Sequence, residues 1–175
     1  MSDCRTNDRD VPEYNRDMSR TEVSRSHWLP NVSSDGGRFF LEILGGADAL
    51  GDARKFTVSV SEEHVARIRD DLPRHVLARA ALLPLCYAAG SQNHLDESAA
   101  VRLLDTILHG TEREVDPAFE NISWDSRCAL ISHGADAALL DAGKVFAASQ
   151  SATAASSWDR VRKYVESRRR PRAAP

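Results

Sequence analysis

Three residues that could carry out nucleophilic chemistry lie close together in WDSRCALISHGAD, residues 124–136. Cys128, His133 and Asp136 have the side-chain types of a nucleophile, a general base and an acid that orients the base. In an extended segment Cys128 and His133 face opposite sides, and in a helix five residues of separation place them apart around the axis. We therefore predict no catalytic residue here. Cys128 is expected to be a small buried side chain, His133 a turn residue and Asp136 a helix cap.

The other cysteines and histidines do not have the spacing of metal ligands. Cys4, Cys86 and Cys128 are widely separated, which argues against a disulfide framework and against a structural zinc site. His64 and His75 are eleven residues apart, a spacing that would align them on one unbroken helix, but Pro73 interrupts it. We predict neither a metal ion nor a cofactor.

Phosphate-binding motifs are also absent from the sequence. The segment GGADALG, Gly45–Gly51, is rich in glycine but lacks the Gly-Lys-Ser/Thr ending of a P-loop. Its simplest interpretation is a permissive loop, and a loop that contacts a ligand is the alternative. The basic segment RRRPR contains no aromatic residue that could stack on bases, so weak or no nucleic-acid binding is expected.

The composition indicates one domain with a core of small side chains. The chain has 175 residues, of which 42% are hydrophobic and 6% aromatic. Because large aromatic residues are scarce, Trp28, Trp124 and Trp158 are expected to anchor the core. No segment approaches the ~18 consecutive apolar residues of a membrane span, and the first ten residues lack the apolar region of a secretory signal. A cytoplasmic protein is expected.

Both ends of the chain are predicted to be disordered, leaving one domain over residues 25–166. Residues 1–24 are polar and charged and cannot bury enough apolar surface to offset their ordering entropy. Residues 167–175 form a basic tail. Met18 is a second candidate start of translation.

The domain is predicted to begin with a small antiparallel sheet of about three strands. HWLPNV and RFFLEIL are short apolar runs separated by SSDGG, a turn signal. KFTVSV alternates apolar and polar residues, as expected for a strand with one buried face.

Five or six packed helices are predicted to follow, which makes the fold class α+β. Ser61 and Asp96 occupy N-cap positions, Gly110 ends a helix, and TERE at Thr111–Glu114 has the form of a capping box. Pro73 separates the first two helices. ALIS, residues 129–132, is interpreted as a short strand or an irregular turn, residues 136–149 as one helix, and the last helix begins after Ser157.

Charge is divided unevenly along the chain. From Asp159 onward seven basic residues oppose two acidic ones, a net charge of +5, and because the whole chain carries −3, the remainder carries −8. The acidic residues gather at predicted helix ends, where they complement the helix dipole, and they could also attract a basic partner protein.

Several phrases resemble a family of short proteins from GC-rich bacteria that is classed as a domain of unknown function. They are GADALGDARKFTVSVSEEH, LLPLC, LDESAAVRLLDTIL, the Trp-Asp pair at 124–125, SHGAD and VFAASQSATAASSW. The resemblance runs from about Trp28 to Tyr164. It implies a bacterial, cytoplasmic, single-domain protein and supplies no activity or catalytic residue.

Two functions remain open from the sequence. The first is a non-enzymatic binding or accessory protein, immunity-like or antitoxin-like, whose acidic body binds a basic protein. The alternative is a small-molecule-binding enzyme or sensor with a pocket between sheet and helices, near Gly45–Gly51 and His133. A strongly acidic patch would favour the first, and a deep pocket with converging polar groups would favour the second.

Removal of Met1–Asp17 tests the predicted N-terminal tail. Because this segment has too few apolar residues to join a core, the truncated protein is expected to melt at the same temperature as the full chain. Differential scanning calorimetry of both forms measures this, and a melting temperature several degrees lower after truncation would show that the segment docks on the domain.

Overall fold

The computed structural model describes residues 20–47 and 49–169. A four-stranded antiparallel sheet is followed by helices, which confirms the predicted α+β class. The described part of the chain contains one strand more than predicted, and eight α-helices where five or six were expected.

The sheet consists of β1 (Arg20–Val23), β2 (Asn31–Asp35), β3 (Arg38–Gly45) and β4 (Arg54–Val60), hydrogen-bonded in chain order. Gly36 and Gly37 join β2 to β3 with φ angles of +55° and +80°. Two consecutive left-handed residues form the turn whose twist suits an antiparallel hairpin, and glycine adopts these angles without strain. The Asp-Gly-Gly signal therefore makes a hairpin that sets Asp35 opposite Arg38.

The prediction of a disordered tail over residues 1–24 is wrong for the end of that range, because Arg20–Val23 form the edge strand β1. Val23 pairs with Val32 of β2 and is only 7% exposed. An edge strand is stabilised by backbone hydrogen bonds to its neighbour, which the polar composition of the segment does not reveal. Residues 1–19 of the predicted tail lie outside the described residues.

The helices are α1 (Glu62–Asp70), α2 (Leu72–Ala88), α3 (Glu97–His109), α4 (Glu112–Val115), α5 (Trp124–Ser132), α6 (Ala137–Asp141), α7 (Val145–Ser149) and α8 (Trp158–Arg169), with a 3-10 helix at Asp116–Phe119. ALIS belongs to α5, so the strand interpretation was wrong. The single helix predicted over residues 136–149 is instead α6 and α7, because the chain turns at Gly143 with φ of +74°.

Local capping signals define most helix ends. The side chains of Ser61 and Asp96 accept hydrogen bonds at the starts of α1 and α3, and Gly110 is the C-cap of α3. Asp71 ends α1 and, with Pro73 in the first turn, begins α2. The sequence predicted the ends at Ser61, Asp96 and Gly110 and the break at Pro73, but not the Asp71 cap.

Helix α2 lies at the centre of the fold. It contacts β3 and the helices α1, α3, α5 and α7. Every residue from Arg74 to Leu83 is buried, including three that are polar: Arg74, His75 and Arg79. Polar groups in such a position must find hydrogen-bond partners inside the protein, since water cannot reach them.

Two of the three buried polar residues of α2 are fully engaged. The Arg74 guanidinium donates to the carbonyl oxygens of Ile107 (2.6 Å) and Gly110 (2.8 Å). His75 Nε2 lies 2.8 Å from the Pro30 carbonyl oxygen, and Nδ1 lies 2.9 Å from Arg25 Nη1. Because a carbonyl can only accept, Nε2 carries the proton and Nδ1 accepts from Arg25, so His75 is neutral.

The prediction that the three tryptophans anchor the core is wrong. Trp28, Trp124 and Trp158 are 37%, 52% and 68% exposed. The core is instead filled by aliphatic side chains from α2, α3, α5 and the inner face of the sheet. Trp124 and Trp158 are the first residues of α5 and α8, and Trp28 lies in the segment before β2, so all three lie at the edges of the packed elements. The scarcity of tryptophan said nothing about these positions.

The prediction of a C-terminal tail over residues 167–175 is wrong for its first three residues, because α8 continues to Arg169. Residues 170–175 lie outside the described residues. Among the helices described, none has both the length and the apolar character that a membrane crossing would require.

Protonation of His75 is expected to couple folding to pH. Burial, as the main cause, lowers the pKa of His75 from 6.5 to about 4. Neutral His75 makes its full contribution to the free energy of unfolding above pH 6.5. This contribution falls as the pH drops from 6.5 to 4, by about 1.4 kcal/mol per pH unit and about 3 kcal/mol in all. His133, whose pKa is also lowered by burial, acts in the same direction.

Urea unfolding at pH 7, 6 and 5 measures this effect in the wild type and in His75→Gln. The variant retains a donor toward Pro30 but does not titrate, so its free energy of unfolding should fall less steeply over the same interval. If the free energy of unfolding fell equally steeply with pH in the two proteins, His75 would not be the group that couples folding to pH.

Candidate functional site

The structure separates the three residues Cys128, His133 and Asp136. Asp136 caps α6 by accepting from the backbone N–H groups of Ala138 and Leu139. His133 follows α5 and is completely buried. Among the described contacts, no hydrogen bond joins any two of the three.

Helices α2 and α5 line a cavity of about 170 Å³. Residues spaced three or four apart lie on one face of a helix. The face of α2 carries Arg79, Leu83 and Tyr87, and that of α5 carries Asp125, Cys128, Ala129 and Ser132. The lining is completed by the end of β3, by Trp28 and Ala53, and by Ser156 and Trp158 at the start of α8.

Two glycines bring the sheet against α2 at this cavity. A Cβ atom at Gly45 would lie 2.9 Å from Cys86 Cβ, and one at Gly46 would lie 2.8 Å from the Cys86 carbonyl oxygen. Gly46 also has a φ of +63°. Of the predicted ligand loop Gly45–Gly51, these two residues line the cavity, and His133 lies behind it against Arg79.

Arg79 is the unusual residue of the site. It is 9% exposed, and its Nε has no hydrogen-bond partner. Nη1 is 3.4 Å from His133 Nε2, a long contact, and the guanidinium carbon lies 5.4 Å from the centre of the Trp28 ring. His133 Nδ1 lies 2.9 Å from the Thr153 carbonyl oxygen and must donate to it, which makes Nε2 an acceptor for Arg79.

No carboxylate in the described part of the chain forms an ion pair with Arg79, whereas Arg74 lies 3.3 Å from Asp71. Burial lowers the pKa of Arg79 to about 10, which leaves it protonated at neutral pH. The cavity therefore contains a desolvated cation without a counter-ion. Such a charge is costly unless another group neutralises it.

Aromatic side chains surround the opening of the cavity. Trp28, Tyr87 and Trp158 are all exposed by more than a third and all contribute to its lining. Partly exposed aromatic rings are typical of binding surfaces because they provide apolar contact area with few rotatable bonds. Trp28 and Trp158, which do not build the core, therefore form part of the lining of this cavity.

A second cavity, of about 390 Å³, lies between the Ser24–Leu29 segment and β3. Its charged residues, Lys55 and Glu42, pair with each other at 2.8 Å. Two neutral oxygens at this site, Ser26 Oγ and Asn31 Oδ1, have no partner. An unpaired neutral oxygen costs less than an unpaired charge, so the cavity with Arg79 is the stronger candidate.

Metal ligands do not converge at any point of the described chain: no group of three or more His, Cys, Asp or Glu residues is placed to hold an ion. Chemical function at the cavity would depend on Arg79, Tyr87, Asp125, Cys128 and Ser132.

Sequence reasoning missed Arg79, although a signal was present. HVLARAALLPL is an apolar helical segment in which Arg79 is the one charged residue. Charged residues are rarely buried without a partner, so an isolated arginine in an apolar helix indicates either a buried ion pair or a binding site.

Thiol reactivity tests whether Cys128 can be a nucleophile. Burial raises its pKa, and the nearby Asp125 charge acts in the same direction. Since the thiolate is the reactive form, Cys128 should be alkylated at least about tenfold more slowly in the native protein than in urea at pH 7. Cys128→Ser should still fold, at a cost of about 1–3 kcal/mol or less.

Peptide mass spectrometry after iodoacetamide treatment distinguishes Cys128 from the other cysteines. Cys86, whose pKa burial raises to about 12, is the internal reference for a protected thiol. Rapid alkylation of native Cys128 at acidic pH would reveal a stabilised thiolate and overturn the prediction.

Comparison with known proteins identifies a family without an assigned activity. A family model described as a family of unknown function, DUF6357, matches residues 18–174. Searches of curated proteins and of solved structures give no match. Because the family model covers nearly the whole domain and the sheet-and-helix fold built around α2, the chain belongs to the DUF6357 family.

Proposed function

We propose that this protein is a non-enzymatic binding protein and that its ligand is a small organic carboxylate held by Arg79. One observation carries the proposal: Arg79 is a buried cation, lines a cavity and has no counter-ion in the described chain. Natural proteins tolerate an unpaired buried charge mainly at functional sites.

A carboxylate suits this position chemically. The planar guanidinium can donate two parallel hydrogen bonds to a carboxylate, and charge-assisted bonds of this kind are about twice as strong as neutral ones. The surrounding apolar side chains lower the local dielectric constant and strengthen the attraction.

The rest of the lining suits a small apolar body. Leu83 and Ala129 flank the cavity, and Trp28 and Trp158 provide aromatic faces. A volume of about 170 Å³ is close to that of cavities that hold a single benzene ring, about 150 Å³. A ligand of roughly six to nine heavy atoms is the size expected.

An immunity-like or antitoxin-like protein that binds a basic partner was the first function proposed from the sequence, and it is the second candidate here. Several of the acidic residues on which it depends have structural roles: Asp71 and Asp96 cap helices, and Asp116 accepts from the Phe146 N–H group. Glu97 and Glu114 likewise accept backbone hydrogen bonds. Structural roles therefore account for these five acidic residues without invoking a partner protein, so we place the carboxylate site first.

A bacterial, cytoplasmic setting is part of the proposal. Cys86 and Cys128 are free thiols, as expected in a reducing compartment. The predominance of arginine over lysine is consistent with a GC-rich genome.

Hexanoate and hexan-1-ol form a matched pair of probes for the carboxylate site. Isothermal titration calorimetry of the wild type should show hexanoate binding with a Kd of about 1 mM or lower. Hexan-1-ol, which lacks the charge, should bind at least about tenfold more weakly. Arg79→Met should lose hexanoate binding. Its free energy of unfolding should be equal to that of the wild type or up to about 4 kcal/mol higher, because an apolar side chain in place of the desolvated charge removes the desolvation cost.

Arg74→Met is the matched control in the same helix. It removes the guanidinium N–H groups that donate hydrogen bonds to the carbonyl oxygens of Ile107 and Gly110, and it should lower the free energy of unfolding by about 2–5 kcal/mol. Equal binding of the two probes, or hexanoate binding that survives Arg79→Met, would overturn the proposal.

A further inference from the structure

We propose that Arg79 and Asp125 together select a ligand that carries both a carboxylate and a cationic amine, with the two charges separated by several bonds. The inference rests on the carboxylate site proposed above and names the ligand class of that site. It follows from a second charge in the same cavity lining, of opposite sign and at the opposite end.

Arg79 and Asp125 lie toward opposite ends of α5. Arg79, in the middle of α2, contacts His133 after the end of α5. Tyr87 near the end of α2 lies close enough to Asp125 in the first turn of α5 for the Asp125 charge to help raise its pKa, although burial is the larger cause and the Arg79 charge acts in the opposite direction. Eight residues of helix separate Asp125 from His133, about 12 Å at 1.5 Å per residue.

Asp125 is available to a ligand. It is exposed at the opening of the cavity, and it forms no ion pair or hydrogen bond within residues 20–47 and 49–169. Tyr87 and Trp158 are exposed at the same lining, and aromatic faces attract ammonium groups. The opening therefore favours a cation, while Arg79 inside favours an anion.

This spacing selects the length of the ligand. The rise of about 12 Å along α5, from Asp125 to the residue that contacts Arg79, sets the scale: two hydrogen bonds of about 2.8 Å taken from it leave roughly 6–7 Å for the ligand charges. An extended six-carbon amino acid, with bonds of about 1.5 Å, spans roughly 7 Å. An α-amino acid is too short to reach both residues, and so is a four-carbon chain.

6-Aminohexanoate is therefore the matched probe against hexanoate, and 4-aminobutanoate against butanoate. In the wild type 6-aminohexanoate should bind about 2- to 5-fold more tightly than hexanoate, the range expected for one exposed ion pair. The shorter pair should show no such gain. The advantage should shrink at 0.5 M NaCl, since salt screens the exposed Asp125 more than the buried Arg79.

Asp125→Asn tests the assignment directly. It should abolish the preference for 6-aminohexanoate and leave hexanoate affinity unchanged within about twofold. Asp159→Asn is the control: it removes an equally negative, exposed side chain that is no part of the cavity lining, and it should preserve the preference.

The two proposals fail in different ways. If the wild type binds hexanoate but gains nothing from the amino group, or if Asp125→Asn retains the preference, the dual-charge site is wrong and the carboxylate site stands. If neither probe binds, both are wrong. A preference that Asp159→Asn also abolishes would assign the effect to net charge and contradict the role of Asp125.

Discussion

The burial of α2 on all sides from Arg74 to Leu83 is the constraint on which the rest of the structure depends. A helix that contacts the sheet and four other helices cannot leave polar side chains to water, so each one needs a partner or a purpose. Arg74 ties α2 to the end of α3, and His75 ties it to the segment before β2. Arg79 is the exception, and its unmet requirement is what makes the adjoining cavity a candidate binding site.

The same constraint explains how the cavity forms. The sheet can approach α2 closely only because Gly45 and Gly46 have no side chain to meet Cys86. At the end of β3 the cavity lies between the sheet and the helices α2 and α5, and Trp28 and Trp158 form part of its lining.

Stability and binding oppose each other at this site. The free energy lost by burying Arg79 without a counter-ion is available to a ligand that supplies one, because binding removes a cost that the free protein bears. Several acidic residues are different, since Asp71, Asp96 and Glu114 already accept hydrogen bonds from backbone N–H groups at helix ends. Part of the acidic composition therefore serves the fold itself.

What the sequence determined by itself was local. The Asp-Gly-Gly hairpin, the caps at Ser61 and Asp96, and the break at Pro73 depend on residues within a few positions of one another, and the structure has them as predicted. The α+β class followed from these local patterns.

Only the tertiary structure decided which large side chains are buried, that Arg20–Val23 pairs with β2, and that Arg79 lines a cavity. These depend on packing between distant segments: Arg79 and His133 are 54 residues apart. Side-chain type and spacing do not encode which distant surface covers a residue, and the candidate site is made of such contacts.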